Sequence, residues 1–524
     1  MNSVMTHDFS KVPPAEIPRS QFDRSHGYKT TMQAGQLVPV YLDLAYPGDT
    51  FNLSVSAFGR LATPIKPLMD NMWMDFHFFA VPMRLLWTNW KRFMGEQANP
   101  TDSIDFLVPQ IVSPTGGFLT GGVADYFGFP VGVQNISVSA LPFRAYNLIF
   151  REFYRDQNLQ LSPIINMGDG PDSITDYPIY QRSKAHDFFT SCLPWAQKGD
   201  DVLVPLGATA PIGRVSQANG WIGYQHGTNT RAIDSPITIG GAQGEVRTSE
   251  PARLSFDPNG GLVADLSSAS AASVNAWREA FQLQKLLERD ARAGTRLQEI
   301  ILGHFGIRGD DARHQRPEFL GSARANINIH PVAQTSPTGT YADTPQGNLS
   351  GFGTVSMNSA GFSKSFSEHC VVIGLASTRT DLHYQNGVWA EWSYRQKYDF
   401  YWPALAHLGE RAVKNKEIYA QGTAVDDETF GYQERWAEAR YSCSKITGKM
   451  NSNETGLTPL DIWHLAQDFS NLPTLSSQFI VENPPMDRVL AVPTEPHILL
   501  DCYFKVKAAR PMPTYSVPGM IDHF

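Results

Sequence analysis

The chain has 524 residues, well past the length at which one hydrophobic core stops growing, so two or three domains, or one with large insertions, are expected. Its formal net charge of −8 excludes a surface that follows nucleic acid over its whole extent, while leaving room for a local basic patch. Charged residues make up 18%, below the roughly 25% usual in soluble domains, and aromatics 11%, a balance suited to a protein that covers much of its surface with other subunits.

The opening stretch, MNSVMTHDFSKVPPAEIP, has no apolar run able to serve as a signal peptide. Nowhere does the chain approach the ~18 apolar residues of a membrane span. Synthesis in a cytoplasm without membrane insertion is the expectation. Residues 1–36 are polar and interrupted by proline, so they read as an extended arm and not as a packed element. The arm's bases, Lys11, Arg19, Arg24, His26 and Lys29, slightly outnumber its acids, Asp8, Glu16 and Asp23.

Strands follow. In FNLSVSA, Phe51, Leu53, Val55 and Ala57 alternate with polar residues, the period of two of a half-buried strand. MWMDFHFFAVP sets Met72, Met74, Phe76 and Phe78 against Trp73, Asp75, His77 and Phe79, which predicts a strand covered on both faces. Near the other end, LDCYFKVK alternates again through Leu500, Cys502, Phe504 and Val506. Strands at both ends suggest one sheet system closed by its first and last elements, with everything between as insertion.

Two helical stretches lie inside that frame. Tyr146, Phe150 and Phe153 form one apolar stripe in FRAYNLIFREFYRD, and Ala276, Ala280, Leu283 and Leu287 another in a helix beginning near Val274. The second should pause at Gly294 and resume in TRLQEIILGHF. Both stripes read as core contacts. Residues 205–262 change character: Gly, Thr, Ser and Asn dominate, with short β-like pieces and no helical period. They read as a turn-rich surface excursion or a projecting contact module.

Signs of chemistry are sparse. ITGKM carries Gly448 and Lys449, but Met450 stands where a phosphate-binding loop needs a hydroxyl. Gly361-Phe362-Ser363-Lys364-Ser365 lacks the second glycine of a nucleophile elbow. Asp461, His464 and Asp468 would share one helical face, yet a single histidine beside Trp463 reads as packed and not as a metal ligand. The four cysteines are far apart and form no CxxC pair, which predicts reduced, buried thiols. No cofactor or metal is called for.

FGYQERWAEARY, residues 430–441, is the densest candidate. On a helix, Glu434 and Glu438 would share one face. Arg435 and Arg440 beside them would hold both as ionised partners, and Tyr432, Trp436 and Tyr441 offer rings for stacking. A charged clasp at a seam between elements or subunits fits better than an acid pair. Tyr432, Glu434, Arg435, Trp436, Glu438 and Arg440 are therefore the structural or subunit-contact candidates.

That stretch, continuing to SKITGKM, resembles the corresponding segment of gokushovirus (Microviridae) major capsid proteins. The resemblance extends through DFFTSCLPWAQKGDDVLVPLG, FQLQKLLERDARAGTRLQEIILGHFG, YDFYWPALAHLGE, DRVLAVPTEPHILLDCYF and the final ARPMPTYSVPGMIDHF, and it covers nearly the whole chain. It implies a mainly β fold, an eight-stranded antiparallel jelly roll of viral capsid type with long loop and helical insertions. It also implies a T=1 icosahedral shell around circular single-stranded DNA, located in the virion and made in the bacterial host's cytoplasm. The expected organisation is an arm over 1–36, the first part of the core over 37–204, a variable insertion at 205–262 forming a threefold protrusion, and the rest of the core over 263–524.

Partners follow from the resemblance: other copies of the chain, genomic single-stranded DNA, a small basic DNA-binding protein, a scaffolding protein and a host surface receptor. On the arm, Arg19, Arg24 and Lys29 are candidates for phosphate contact, with Phe22 and Tyr28 near enough to stack on bases. In the insertion, Trp221, Tyr224, His226 and Arg231 are candidates for host attachment. Two alternatives stay open here: a receptor-binding trimeric spike, and a carbohydrate-active β-sandwich enzyme using Glu434 and Glu438.

Overall fold

The computed structural model describes residues 17–203, 274–336, 346–454 and 460–515, with the backbone of five short strands between 212 and 264. The chain divides into two units, Met1–Ala196 with Ala291–Phe524, and Gln197–Asp290.

The first unit is built on β1 (Ser20–Asp23), β2 (His26–Met32), β3 (Val38–Ala45), β4 (Thr50–Leu61), β5 (Met72–Pro82), β6 (Glu318–Ala333), β7 (Leu349–Ser365), β8 (Cys370–Thr380), the hairpin strands β9 (Glu410–Lys414) and β10 (Thr429–Glu434), and β11 (Ile498–Arg510). One antiparallel sheet runs β2-β11-β4-β7 and another β3-β8-β5-β6. The far end of β6 pairs with β7, from Asn328 opposite Thr354 to Ala333 opposite Leu349, and joins the two sheets. This interleaving of early and late strands is the order of a jelly roll.

Side-chain alternation decides which faces meet. Phe51, Leu53 and Val55 of β4, and Leu500, Cys502, Phe504 and Val506 of β11, turn inward against Met72, Met74, Phe76 and Phe78 of β5. Each such buried side chain contributes about 1.5–3 kcal/mol. The other face of β5 is covered too. There Phe79 and Val81, with Val371, Ile373 and Leu375 of β8, pack under α1 (Leu141–Ile149), whose Tyr146 and Ile149 are buried. The double coverage expected of MWMDFHFFAVP is present. A third core gathers Phe188, Phe189, Trp389, Val413, Phe430 and Phe479 around the β9–β10 hairpin.

The segment expected as an arm is extended, but from Ser20 onward it is paired. β1 and β2 lie in turn along β11, Ser20 opposite Arg510 and Met32 opposite Ile498. Its polar alternation belongs to strands with one solvated face, where only Met32 is buried outright. The first and last elements thus do share a sheet. Residues 1–16 lie outside the described residues.

In the second unit, the backbone strand Ile222–His226 pairs antiparallel with Asn229–Ala232 and Arg253–Phe256, and Leu262–Ala264 pairs with Ile212–Arg214. α2 spans Val274–Ala293 across the division, and the chain pauses at Gly294 (φ 99°) before α3 (Leu297–Phe305), as its sequence predicts. Its stripe is not fully buried core, however: Ala276, Ala280 and Leu287 are half-buried and Leu283 is exposed, as are Trp277 and Phe281 beside them. Helical periodicity sets where an apolar stripe lies, and tertiary partners decide whether it is covered.

Candidate subunit-contact site

Residues 430–441 do not form one helix. β10 ends at Glu434, Trp436 adopts φ 72°, and only then does a short helix, α4 (Ala437–Arg440), begin. A bulky residue in the left-handed region marks a sharp change of direction. It separates the two glutamates that helical spacing would have put on one face, so that expectation is corrected.

The partners differ as well. Glu438 is buried, and its carboxylate accepts from Arg411 Nε at 2.9 Å and from the Tyr394 hydroxyl at 2.9 Å. Arg411, on β9, also grips Glu417 through both terminal nitrogens at 2.8 Å. Burial alone would weaken the Arg411 charge, but the two carboxylates outweigh it and hold its pKa above the usual arginine value. Tyr394 is pushed up by burial and by the Glu438 charge, so it stays a donor.

Glu434 pairs with Arg440 at 2.8 Å, both about half exposed. Arg435 makes no carboxylate pair among the described residues; its guanidinium lies over the Trp436 ring, 4.5 Å from the centroid. Trp436 is buried, donates to the Leu405 carbonyl at 2.9 Å and meets Tyr401 edge-on. Tyr432 exchanges backbone hydrogen bonds with Leu193, which ties the hairpin to residues before the insertion. One half of the stretch is thus locked inside the chain, and the other half faces outward. Neither glutamate is placed as a free acid or base.

Sequence reasoning missed Arg411 and Tyr394, which lie 27 and 44 positions before Glu438. It also passed over an exposed aromatic surface beside them: Trp392, Tyr398, Phe400, Tyr401 and Trp402, with Lys397 Nζ 5.3 Å above the Trp402 ring. The density of rings in YDFYW was the available signal.

The arm candidates are scattered among partners. Arg24 pairs with the buried carboxylate of Asp43 at 2.7 Å, Lys29 with Asp501, and Tyr28 donates to the Tyr126 carbonyl at 2.9 Å. Phe22 stands opposite Ala508, and Arg19 donates to the Thr50 hydroxyl at 2.8 Å. Of the insertion candidates, Tyr224, His226 and Arg231 fall on described backbone with no described side chain, and Trp221 lies outside the described residues.

Asp461 and His464 are not on one helix with Asp468, because only a single turn, Asp461–Trp463, is helical. His464 is buried and its Nε2 lies 2.6 Å from the Met450 carbonyl. Cys192, Cys370 and Cys502 are buried free thiols, and Cys443 is half-buried. Burial pushes the Cys370 and Cys502 thiols up to about 12. Among the described residues no helix is long and apolar enough to cross a membrane.

Comparison with known proteins agrees with this geometry. The family model for Capsid protein (F protein) matches residues 10–520. Capsid protein VP1 of Bdellovibrio phage phiMH2K is 45% identical over 529 residues, spanning 99% of this chain and 98% of that protein. Capsid protein VP1 of Chlamydia phage 1 is 41% identical and that of Spiroplasma virus 4 is 36% identical, each over 99% of this chain and 98% of its own length. With its jelly roll and its paired, structural glutamates, the chain belongs to the capsid protein (F protein) family, beside the VP1 proteins of the gokushoviruses, and is a structural protein and not an enzyme.

Proposed function

We propose that this chain is the major capsid subunit of a small single-stranded DNA bacteriophage and that its copies close into a T=1 icosahedral shell around the genome. The observation that carries this is a jelly roll with insertions in a chain that matches capsid proteins from end to end. Two packed sheets make a rigid wedge, and their connections are free to form contacts between copies. The outward half of the clasp, Glu434, Arg435 and Arg440, with the aromatic surface from Trp392 to Trp402, is the proposed seam. Its exposed rings are what a subunit contact buries. The inward half, Tyr432, Trp436 and Glu438, holds that seam in shape.

Residues 205–262 form the proposed surface protrusion at the threefold axes, where three copies would add weak contacts to a host receptor into useful avidity. The arm's cations contribute to holding DNA, with a small basic protein supplying most of the neutralisation and a scaffolding protein guiding closure in the host cytoplasm. Electron microscopy of the purified chain, alone and with a phage lysate supplying scaffold, tests the reading. Small closed icosahedral particles are expected. A trimer as the end state under both conditions would replace the shell with a spike.

A further inference from the structure

The outer face of β5 and β8 holds more positive than negative charge. Asp75, buried on β5, receives Arg182 at 2.6 Å and Arg324 at 2.5 Å, so one carboxylate serves two guanidiniums. Two further cations stand nearby. Lys184, 4% exposed, donates to the Gln467 side chain at 2.7 Å and lies 4.5 Å above the Phe479 ring. Arg379, on β8, donates to the Ser183 carbonyl at 3.2 Å, and its Nε has no partner. Neither reaches a carboxylate among the described residues.

The acids closest to them do not pair with them. Glu482 accepts through one oxygen from the backbone and hydroxyl of Thr380, its other oxygen is buried without a partner, and burial pushes its carboxyl above the usual range, toward the neutral form. Asp187 accepts from the backbone of Phe189 and Thr190 and from the Tyr384 hydroxyl. Burial also pushes Lys184 down to about 8 and Arg379 down to about 10. Unpaired cations in such a place are costly, and the cost is lifted by an anion.

There is space for one. Arg182, Lys184, Arg379 and Ser183 line a cavity of about 230 Å³ that no carboxylate lines. Its mouth lies between His186 and Phe319, both exposed, and Phe153 forms a further wall. A lining that combines cationic groups and a hydroxyl with aromatic rings suits a tetrahedral oxyanion carrying a small organic group. We propose that this cavity binds a phosphate-class oxyanion, with the phosphoryl oxygens against Arg379 and Lys184. The proposal does not depend on the shell reading.

The test is the thermal unfolding of the full chain in phosphate-free buffer, titrated with inorganic phosphate, thymidine monophosphate or a short oligothymidylate, against chloride at matched ionic strength. A saturable rise in midpoint with phosphate beyond the chloride control is expected. Arg379→Met should abolish that rise without lowering the ligand-free midpoint, because it deletes a buried cation that lacks a carboxylate. His186→Glu, at the exposed mouth, should weaken binding about tenfold or more through repulsion while leaving the fold intact. Equal responses to phosphate and nucleotide identify a free anion as the ligand, and a stronger response to the oligonucleotide identifies a phosphodiester of a single strand. No saturable response in the wild-type chain, or an undiminished one in both variants, overturns the proposal.

Discussion

Arg411 and Glu438 lie 2.9 Å apart with side chains 9% and 1% exposed, and Glu417 holds the other edge of the same guanidinium. One cation thus neutralises two buried carboxylates. Arg411→Met leaves both unpaired and should cost about 3–5 kcal/mol, the range for breaking a buried pair. Glu438→Gln keeps a hydrogen-bonding group and leaves Glu417 to the arginine, so it should cost less. Urea unfolding of the unassembled chain measures both. An Arg411→Met midpoint equal to wild type would mean that the hairpin core, and not this pair, holds the region.

The exposed aromatics test the seam separately from the fold. Trp392 is 77% exposed, so Trp392→Ser should leave the unfolding midpoint of the free chain unchanged while lowering the yield of closed particles. Trp436→Ala should do the reverse first, removing a buried indole at a cost of about 3–5 kcal/mol before assembly is reached. Normal particle yield from Trp392→Ser would remove this surface from the seam.

His77 gives the chain a pH response of definite sign. Its ring stacks on Tyr154 and its Nδ1 lies 2.7 Å from the Tyr154 hydroxyl. Burial, helped by the Arg182 charge, pushes it from 6.5 down to about 4. The unfolded residue takes up its proton near 6.5 and the folded one resists until about 4, so stability is full above 6.5 and falls as pH drops between those values. His77→Gln should flatten that part of the curve. Parallel wild-type and variant curves from pH 7 to pH 4 would show that His77 is not the responsible group.

On the arm, Arg19 is the cation whose side chain meets a hydroxyl and not a carboxylate among the described residues. If it meets a phosphate in assembled particles, Arg19→Ala should reduce the salt dependence of single-strand binding by about 0.7 in logarithmic slope. Arg24→Ala should act differently, loosening the contact of β1 and β2 with Asp43 and lowering the stability of the chain. Equal slopes for wild type and Arg19→Ala would leave Arg19 a tether.

Replacing residues 205–262 by a short Gly-Ser linker tests the protrusion. Particles should still close and adsorb poorly to host cells, as counted by sedimentation of labelled particles with the cells. Loss of all closed particles would assign the insertion to assembly instead.

Much of the jelly roll was legible because strand alternation is local. Phe51 to Ala57 and Leu500 to Val506 declare their buried faces by period alone, and Met72 to Phe79 declares two. Family resemblance supplied the fold class, and the order of strands in the two sheets agrees with it. The clasp was half legible: its residue types announced ion pairing and ring stacking, while its geometry was not legible. The left-handed turn at Trp436 depends on what surrounds the indole, and no pattern of neighbours in the chain encodes it.

The sequence by itself determined composition, strand period, the helix that pauses at Gly294 and the absence of familiar catalytic motifs. Tertiary structure alone decided that Arg411 and not Arg435 holds Glu438, that the apolar stripe of α2 is left only half-covered, and that Lys184 and Arg379 share a cavity with no acid in its wall. The reason is range. Periodicity and turn chemistry act over a few residues, whereas ion pairing and burial join groups that the chain separates by tens or hundreds of positions.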